Sequence, residues 1–431
     1  MKRWIWIVVI VAVAAVGIWG VPRLRAAQVE KAALAIESIE DPVQRTEQAV
    51  AFLQAHPKLF EELRTSVFTA GFQGAQEQGG TAAIQFCDKV LALDMSAAER
   101  GMVVVSLDRA LLDTGEPEHA ARADSLAREA ARAGTYPAMS YLRMVWQHVQ
   151  NPMSEPWTAI ELARAGAALN DTTTADAWPG AFDSAYGALL NSIAKDGGLD
   201  AVRSVADSVL SRAADPVIPG AIYANLYRLL VEEEPWAAVG AAQSLSALPG
   251  YRGGSVMNDV AYDMAERSLA PDVAVRLAEA ALALASSAYD SVGVLDTAGW
   301  ALHRAGNDAR AVEHLAKAFS MLDETPSYQN TIVQHLVSVY ESAGRTDDAI
   351  DVLALLVSRS VDAEDPARAE LSKLLRKRDG SDAALEGLVE LKRAVGLETA
   401  PEFTLKDRAG KTVALTDLRG GVVVVCFWSY G

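Results

Sequence analysis

Cysteine is almost missing from this chain. Its 431 residues carry two, Cys87 and Cys426, too few for a disulfide-stapled scaffold. Two separate buried thiols account for them more simply than a single Cys87–Cys426 bridge. Basic charge is short as well: 39 Lys and Arg stand against 56 Asp and Glu, a formal net charge of −17. That balance argues against a nucleic-acid-binding body, which needs a basic face, and suits a soluble domain that resists self-association. The six histidines are His56, His119, His148, His303, His314 and His335. No pair has the i, i+4 spacing with an intervening Glu that a helical zinc site uses, and His303 and His314 read as surface or groove positions. No P-loop and no G-x-S-x-G is present. The glycine-rich Gly250–Ser255 follows no strand, so it is not a phosphate cradle. No cofactor or metal is expected.

Long apolar runs are scarce too, with one clear exception near the start. Trp4 to Val21 carries no charge, and as a helix its eighteen residues would span about 27 Å, close to the hydrocarbon thickness of a bilayer. Trp4, Trp6 and Trp19 lie near the ends of the run, where indoles favour the headgroup interface, and Pro22, Arg23 and Arg25 are expected to close it. The run exceeds the h-region of a cleaved signal peptide and no small-x-small site follows. Residues 1–25 are therefore expected to form an uncleaved membrane anchor. Lys2 and Arg3 are nearly balanced by Arg23 and Arg25, so the positive-inside rule leaves orientation open.

From Ala26 to about Gly396 strand signals are nearly absent. Val103–Val105 is the main one, and it sits inside a longer helical pattern. The text is rich in Ala, Leu, Glu and Arg at helical spacing, as in Ala120–Ala133, and is broken at Asn151–Trp157, Asp215–Gly220, Leu248–Gly254 and Asp323–Ser327. Cys87 is expected to pack within a helix as a small hydrophobe, and Arg376–Gly380 to be a solvated basic helix end. Val294–Phe319 and Thr331–Leu356 align with a constant offset: Gly306 with Gly344, Ala311 with Ala349, Leu302 with Tyr340, Leu315 with Leu353. Asn258–Leu284 is a third copy, in which Leu269 stands where the turn glycine is expected. Such units read as antiparallel helix pairs. Small residues let the two backbones approach, large ones fill the space between pairs, and glycine reverses the chain without a Cβ penalty. One pair cannot bury its apolar face alone, so pairs stack into a solenoid.

Gly299, Leu302, Gly306, Ala311, Leu315 and Ala318 fall at the pattern positions of a tetratricopeptide (TPR) repeat, which this region resembles. The next copy keeps Leu336, Tyr340, Gly344, Ala349 and Leu353 but has Val337 for the first glycine. Leu107–Leu126 is similar more weakly, and the remainder of 27–250 only in character. The resemblance implies protein or peptide binding as the function of the helical body, with degenerate repeats over 26–250, TPR repeats over 251–362 and a helical connector over 363–399.

After Leu397 the text changes. Phe403–Asp407 and Lys411–Leu415 alternate on either side of Arg408-Ala409-Gly410, a hairpin signal, and Val422–Trp428 is a continuous apolar, β-branched run of the kind found in a strand covered on both faces. Ala400-Pro401-Glu402-Phe403-Thr404-Leu405, Gly410-Lys411, Leu415, Asp417-Leu418-Arg419-Gly420 and Phe427-Trp428 resemble the opening of a TlpA/redoxin (AhpC/TSA-like) thioredoxin-fold domain. Cys426 departs from that pattern, standing where Asn often precedes the Phe-Trp pair. The resemblance implies a Cys-x-x-Cys beyond Gly431, so 400–431 is expected to be the start of a truncated domain whose catalytic cysteines this chain lacks; Cys426, Phe427 and Trp428 would only lead to that site.

The expected fold is thus mainly α: an N-terminal transmembrane helix, a TPR-like α-solenoid, and a short β segment. The leading expectation is a membrane-anchored TPR protein whose full-length form is a thiol–disulfide oxidoreductase, held at the bacterial cytoplasmic membrane by residues 4–21 with its bulk outside the cytoplasm. The alternatives are a non-enzymatic TPR interaction scaffold and a redoxin-type peroxidase.

Overall fold

Proline marks where many of the helices begin. Pro42, Pro117, Pro156, Pro235, Pro271 and Pro366 each open a helix, in a position where the missing N–H has no intrahelical partner to lose. The preceding residue is acidic in five of these cases, Asp41, Glu116, Glu155, Glu234 and Asp365, which places a carboxylate at the positive end of the helix dipole. Asp41 and Asp365 also accept from the backbone N–H of Gln44 and Ala367. Ser96 and Glu99 close a reciprocal capping box.

A computed structural model describes residues 21–57, 61–321, 329–360, 365–394, 404–406 and 411–414. They fall into two compact units, divided between Glu324 and Thr325. The first holds α1 (Val21–Glu37), α2 (Pro42–Ala55), α3 (Glu61–Gln78), α4 (Gly80–Leu91), α5 (Ala97–Asp113), α6 (Pro117–Ala133), α7 (Ala138–Gln150), α8 (Pro156–Ala167), α9 (Trp178–Leu210), α10 (Val217–Leu230), α11 (Pro235–Ser246), α12 (Gly254–Glu266), α13 (Pro271–Leu282), α14 (Ala288–Arg304) and α15 (Asp308–Ser320). Gly198, at φ 71° and ψ −174°, breaks α9 into two helical halves. The second unit holds α16 (Gln329–Ser342), α17 (Thr346–Arg359), α18 (Pro366–Asp379), α19 (Leu385–Ala394), β1 (Thr404–Lys406) and β2 (Thr412–Ala414).

In the first unit, substantial helix contacts run only between elements one, two or three places apart along the chain. That is the signature of hairpins stacked in sequence order. First helices of successive hairpins pack on one another (α5 on α7, α7 on α9, α10 on α12, α12 on α14), and so do second helices (α2 on α4, α6 on α8, α11 on α13). The core is correspondingly a relay of clusters, spanning 33–123, 104–222 and 224–301. Alanine makes the close approaches: Ala123, Ala127, Ala163, Ala185, Ala224, Ala242, Ala261 and Ala278 have no exposed surface. Tyr141, Tyr186 and Tyr227 fill the larger gaps, and each hydroxyl has a partner, the Ala130 carbonyl at 2.9 Å, the Arg164 guanidinium at 2.9 Å and the Asp263 carboxylate at 2.6 Å. Val103–Val105 lies within α5, as its surrounding pattern indicated.

Three expectations are corrected. No helix among the described residues is long and apolar enough to cross a membrane; residues 1–20, which carry most of the expected transmembrane run, lie outside them. Pro22, Arg23 and Arg25 do not close a helix but sit inside α1. Arginine is a good helix former and proline is tolerated within a first turn. Likewise Pro219 and Gly220, read as a break, belong to α10. The β segment is also smaller than expected: the only strands among the described residues are β1 and β2. They pair antiparallel with Thr404 opposite Ala414, Leu405 opposite Val413 and Lys406 opposite Thr412, the hairpin that the flanking alternation indicated. No thioredoxin-like sheet is shown, and Val422–Trp428 lies outside the described residues.

Candidate functional site

The repeat positions converge on the seams between helices. In α14 and α15, Leu302, Ala311, Leu315 and Ala318 are buried. A Cβ added to Gly299 would lie 2.5 Å from Leu315 Cγ and 3.1 Å from the Ala311 carbonyl; glycine is what lets the two backbones come this close. In α16 and α17, Leu336, Tyr340, Ala349 and Leu353 are buried in the same way. Gly306 and Gly344 both take left-handed conformations, φ 78° and 70°. The residue after each donates back to a carbonyl five residues earlier, Asn307 to Leu302 at 2.9 Å and Arg345 to Tyr340 at 2.7 Å, the six-to-one bond of a Schellman turn. In the third copy the equivalent bond runs from Leu269 to Met264 at 2.8 Å. The left-handed residue is therefore Ser268, φ 53°, and not Leu269, because Ala270 adds one residue before α13 begins.

Val337 occupies the Gly299 position in the next hairpin, and the geometry there differs. Its side chain and Leu353, both buried, line a groove of about 390 Å³. Val333 and Leu356 complete the apolar floor, while Glu341, Asp365 and Glu370 stand among the lining residues, which include no Lys or Arg. α16 and α18 make no substantial contact, which leaves the groove open between them. Glu341 and Glu370 pair with Lys377 and Lys373 at 2.8 and 2.9 Å; both lysines are exposed, and such surface pairs are held by about 1 kcal/mol or less.

A second constellation, missed at sequence level, is buried between α5, α6 and α7. His148 Nε2 lies 3.0 Å from Asp108 Oδ1, and His148 Nδ1 lies 2.5 Å from Ser154 Oγ and 3.2 Å from Asp124 Oδ1. Ser154 Oγ donates to Asp124 Oδ1 at 2.9 Å, and the Glu155 N–H to Asp124 Oδ2 at 3.1 Å. Burial alone would lower the His148 pKa, but the bonds to Asp108 and Asp124 outweigh it and raise it to about 9. Burial raises Asp108, and the bond from His148 offsets only part of this. Burial also pushes Asp124 upward, but its bonds from His148, the Glu155 backbone and Ser154 hold it below the usual carboxylate range.

The Ser-His-Asp order invites a nucleophilic reading, and the bonding rejects it. A serine nucleophile needs a neutral imidazole to take its proton. Here the imidazole is cationic at neutral pH and the hydroxyl proton points to Asp124. The His148 and Asp108 side chains are fully buried, so the cluster is an ionic pin joining three helices and the α7–α8 turn. Its signal in the sequence was three polar residues placed in phase with apolar stripes: Asp108 beside Val104 and Leu111, Asp124 beside Ala120 and Ala127, His148 beside Tyr141 and Met144. Among the other candidates, Cys87 is buried in α4, where burial and the neighbouring Asp88 push its thiol up to about 12; a thiol so held is not a nucleophile at neutral pH. His303 is half-buried and bonds Asp308 at 2.7 Å, and His314 is also half-buried, against the Arg310 carbonyl at 2.9 Å. No cluster of His, Cys, Asp and Glu able to hold a metal occurs among the described residues. Cys426, Phe427 and Trp428 lie outside them.

No family model matches the chain, and no curated protein matches it. Among solved structures, the crystal structure of the P58(IPK) TPR domain is similar at a TM-score of 0.24 and 13% identity, over 82% of this chain and 98% of that one. The structure of Naa15/Naa10 bound to HypK-THB is similar at a TM-score of 0.23 and 13% identity, over 87% of this chain and 69% of that one. At these scores neither likeness decides fold or function, and the helical-repeat architecture rests on the chain's own helix order and packing.

Proposed function

We propose that this chain is a non-enzymatic protein-binding scaffold of TPR-like helical hairpins, and that the groove between α16, α17 and α18 seats a cationic, amphipathic segment of a partner protein. The observation that carries this reading is the exchange of glycine for valine at the Gly299-equivalent position, Val337. Val337 stands with Val333, Leu353 and Leu356 at the buried floor of a groove whose lining includes carboxylates and no Lys or Arg. Apolar grooves between helices are the usual seats for amphipathic helices, and acidic walls select basic partners by steering and by rejecting like charge. A fluorescently labelled amphipathic Leu/Lys peptide should bind the full chain, and a Leu/Glu peptide of the same pattern should not. Gln334→Trp and Ser338→Trp alter exposed groove residues and leave the core untouched; each should weaken Leu/Lys binding by about tenfold or more. Equal binding of both peptides, or binding indifferent to both tryptophans, refutes the reading.

A second reading, thiol–disulfide exchange by a TlpA-like domain, draws support from the β1–β2 hairpin, which lies where the opening of that fold would begin. It requires a Cys-x-x-Cys, and the only cysteines of this chain are Cys87 and Cys426. Insulin reduction with dithiothreitol as electron donor should therefore proceed at the uncatalysed rate in the presence of the purified chain. Catalysed turnover would restore the enzymatic reading.

A further inference from the structure

The tripeptide Glu-Pro-Trp occurs twice, at Glu155–Trp157 and Glu234–Trp236, and both copies start the second helix of a hairpin, α8 and α11. The construction is the same each time. The glutamate takes the N-cap position and pairs with an arginine of the preceding second helix, Glu155 with Arg128 of α6 and Glu234 with Arg203 of the latter half of α9. The proline fixes the first turn. The tryptophan then stands outward, with 43% of Trp157 and 78% of Trp236 exposed. Indole is the side chain most concentrated at binding hot spots, and a single exposed tryptophan needs no explanation; two held out by one repeated device do.

Trp157 does not face open solvent alone. It forms one wall of a groove of about 750 Å³, whose opposite side is the latter half of α9 and the turn into α10. Val205 and Val209 supply apolar surface. Arg164 and Arg212 are exposed and line the same groove. Arg164 gives one nitrogen to the Tyr186 hydroxyl at 2.9 Å and forms no ion pair among the described residues; the Arg212 N–H donates to the Val209 carbonyl at 3.1 Å, and its guanidinium forms no hydrogen bond or ion pair among them. The one carboxylate in the lining, Asp215, is occupied by the Val217 N–H at 2.9 Å. In a chain of net charge −17, this groove therefore carries a local excess of positive charge beside an aromatic wall. Guanidinium groups bind carboxylates in bidentate geometry.

We propose that the groove between Trp157 and the latter half of α9 is a docking site for an acidic peptide segment of a partner protein. One apolar or aromatic residue of that segment rests on Val205 and Val209 against the indole, and flanking carboxylates meet Arg164 and Arg212. The site takes a partner of opposite charge to the one proposed for the second unit. It stands on separate residues, so either can fail without the other.

The test is to pan a random peptide library displayed on phage against the full chain and then measure the consensus peptide by fluorescence polarisation. The consensus should be acidic with an internal aromatic residue. Its binding should weaken by about tenfold or more in Arg212→Glu and in Trp157→Ala, with the circular dichroism of both variants unchanged, and should weaken as salt rises. Ser338→Trp, which blocks the proposed groove of the second unit, should leave it intact. A consensus without carboxylates, or an acidic consensus that binds both first-unit variants as well as the parent chain, overturns the proposal. Arg164→Glu serves as the second charge reversal if Trp157→Ala alters the fold.

Discussion

Two consecutive hairpins along the chain, α14–α15 and α16–α17, have the same turn geometry but differ at several interior positions, among them Gly299 against Val337, Leu302 against Tyr340 and Ala318 against Leu356. Both reverse through a left-handed glycine and close the same six-to-one bond, and both bury alanine and leucine at matching places. At Gly299 the helices meet with no room for a Cβ, whereas at Val337 a branched side chain stands in the seam and a groove lies beside it. In a helix pair, backbone separation depends on the size of the residues at the crossing, so exchanges such as Gly299 to Val337 and Ala318 to Leu356 can alter the seam and leave the turn unchanged. The difference extends to the units around them. The first unit closes its interior tightly enough to bury a histidine between two aspartates, while the described part of the second carries a groove with acidic lining residues over a buried apolar floor.

The largest expected effect tests how far that closure depends on its charges. His148→Ala leaves Asp108 and Asp124 buried without their cation and should destabilise the first unit by about 3–5 kcal/mol, read from urea unfolding. The same cluster sets a pH dependence. The folded His148 pKa, about 9, lies above the ordinary histidine value of about 6.5. Its stabilising contribution is thus complete below pH about 6.5, declines as pH rises and is gone above about 9, a span worth on the order of 3 kcal/mol. A flat stability profile across that window, or a loss below about 1 kcal/mol in His148→Ala, would show that the first unit is held by its apolar packing alone.

Next in size is the seam itself. Gly299→Val imposes on α14–α15 the residue that α16–α17 already accommodates. Its Cβ would meet Leu315 and the Ala311 backbone, and backbone does not move aside as a side-chain tip can. Overpacking of this kind costs about 1–3 kcal/mol, measurable as a lower unfolding midpoint in denaturant. An unchanged midpoint would mean that helix separation in these hairpins is set elsewhere than at this position.

How much of this could be read in advance follows the range of the signals. The turn glycines, the alanines opposite them and the helical phase are local or recur at a fixed step, so they were legible. The Asp108–His148–Asp124 cluster was not: its members lie 16 to 40 residues apart, and periodicity places them on inward faces without saying that they meet. The two grooves were hidden for a different reason. Each depends on what fails to fill a space, and a valine for a glycine reads only as a weaker match until the seam is seen. Pro22, Pro219 and Gly220 were overread as breaks, because proline and glycine punctuate a chain strongly yet are tolerated in a first turn. The one-residue slip at Leu269 came from aligning on the alanine after the turn, which Ala270 displaces by one.

That slip supplies the finest test of the shared turn. Gly306 and Gly344 adopt their left-handed angles at little cost, whereas Ser268 holds nearly the same φ with a Cβ in place. Ser268→Gly should therefore stabilise the first unit by a few tenths to about 1 kcal/mol, and Gly306→Ala should destabilise it by a similar amount. Leu269→Gly, the change that the uncorrected alignment would favour, should destabilise instead, since it removes apolar surface packed against the core and gains nothing at a position that is not left-handed. Thermal unfolding of the three variants ranks them. If Leu269→Gly proved the stabilising one, the turn would be built as the alanine spacing suggested, and the extra residue at Ala270 would have no bearing on it.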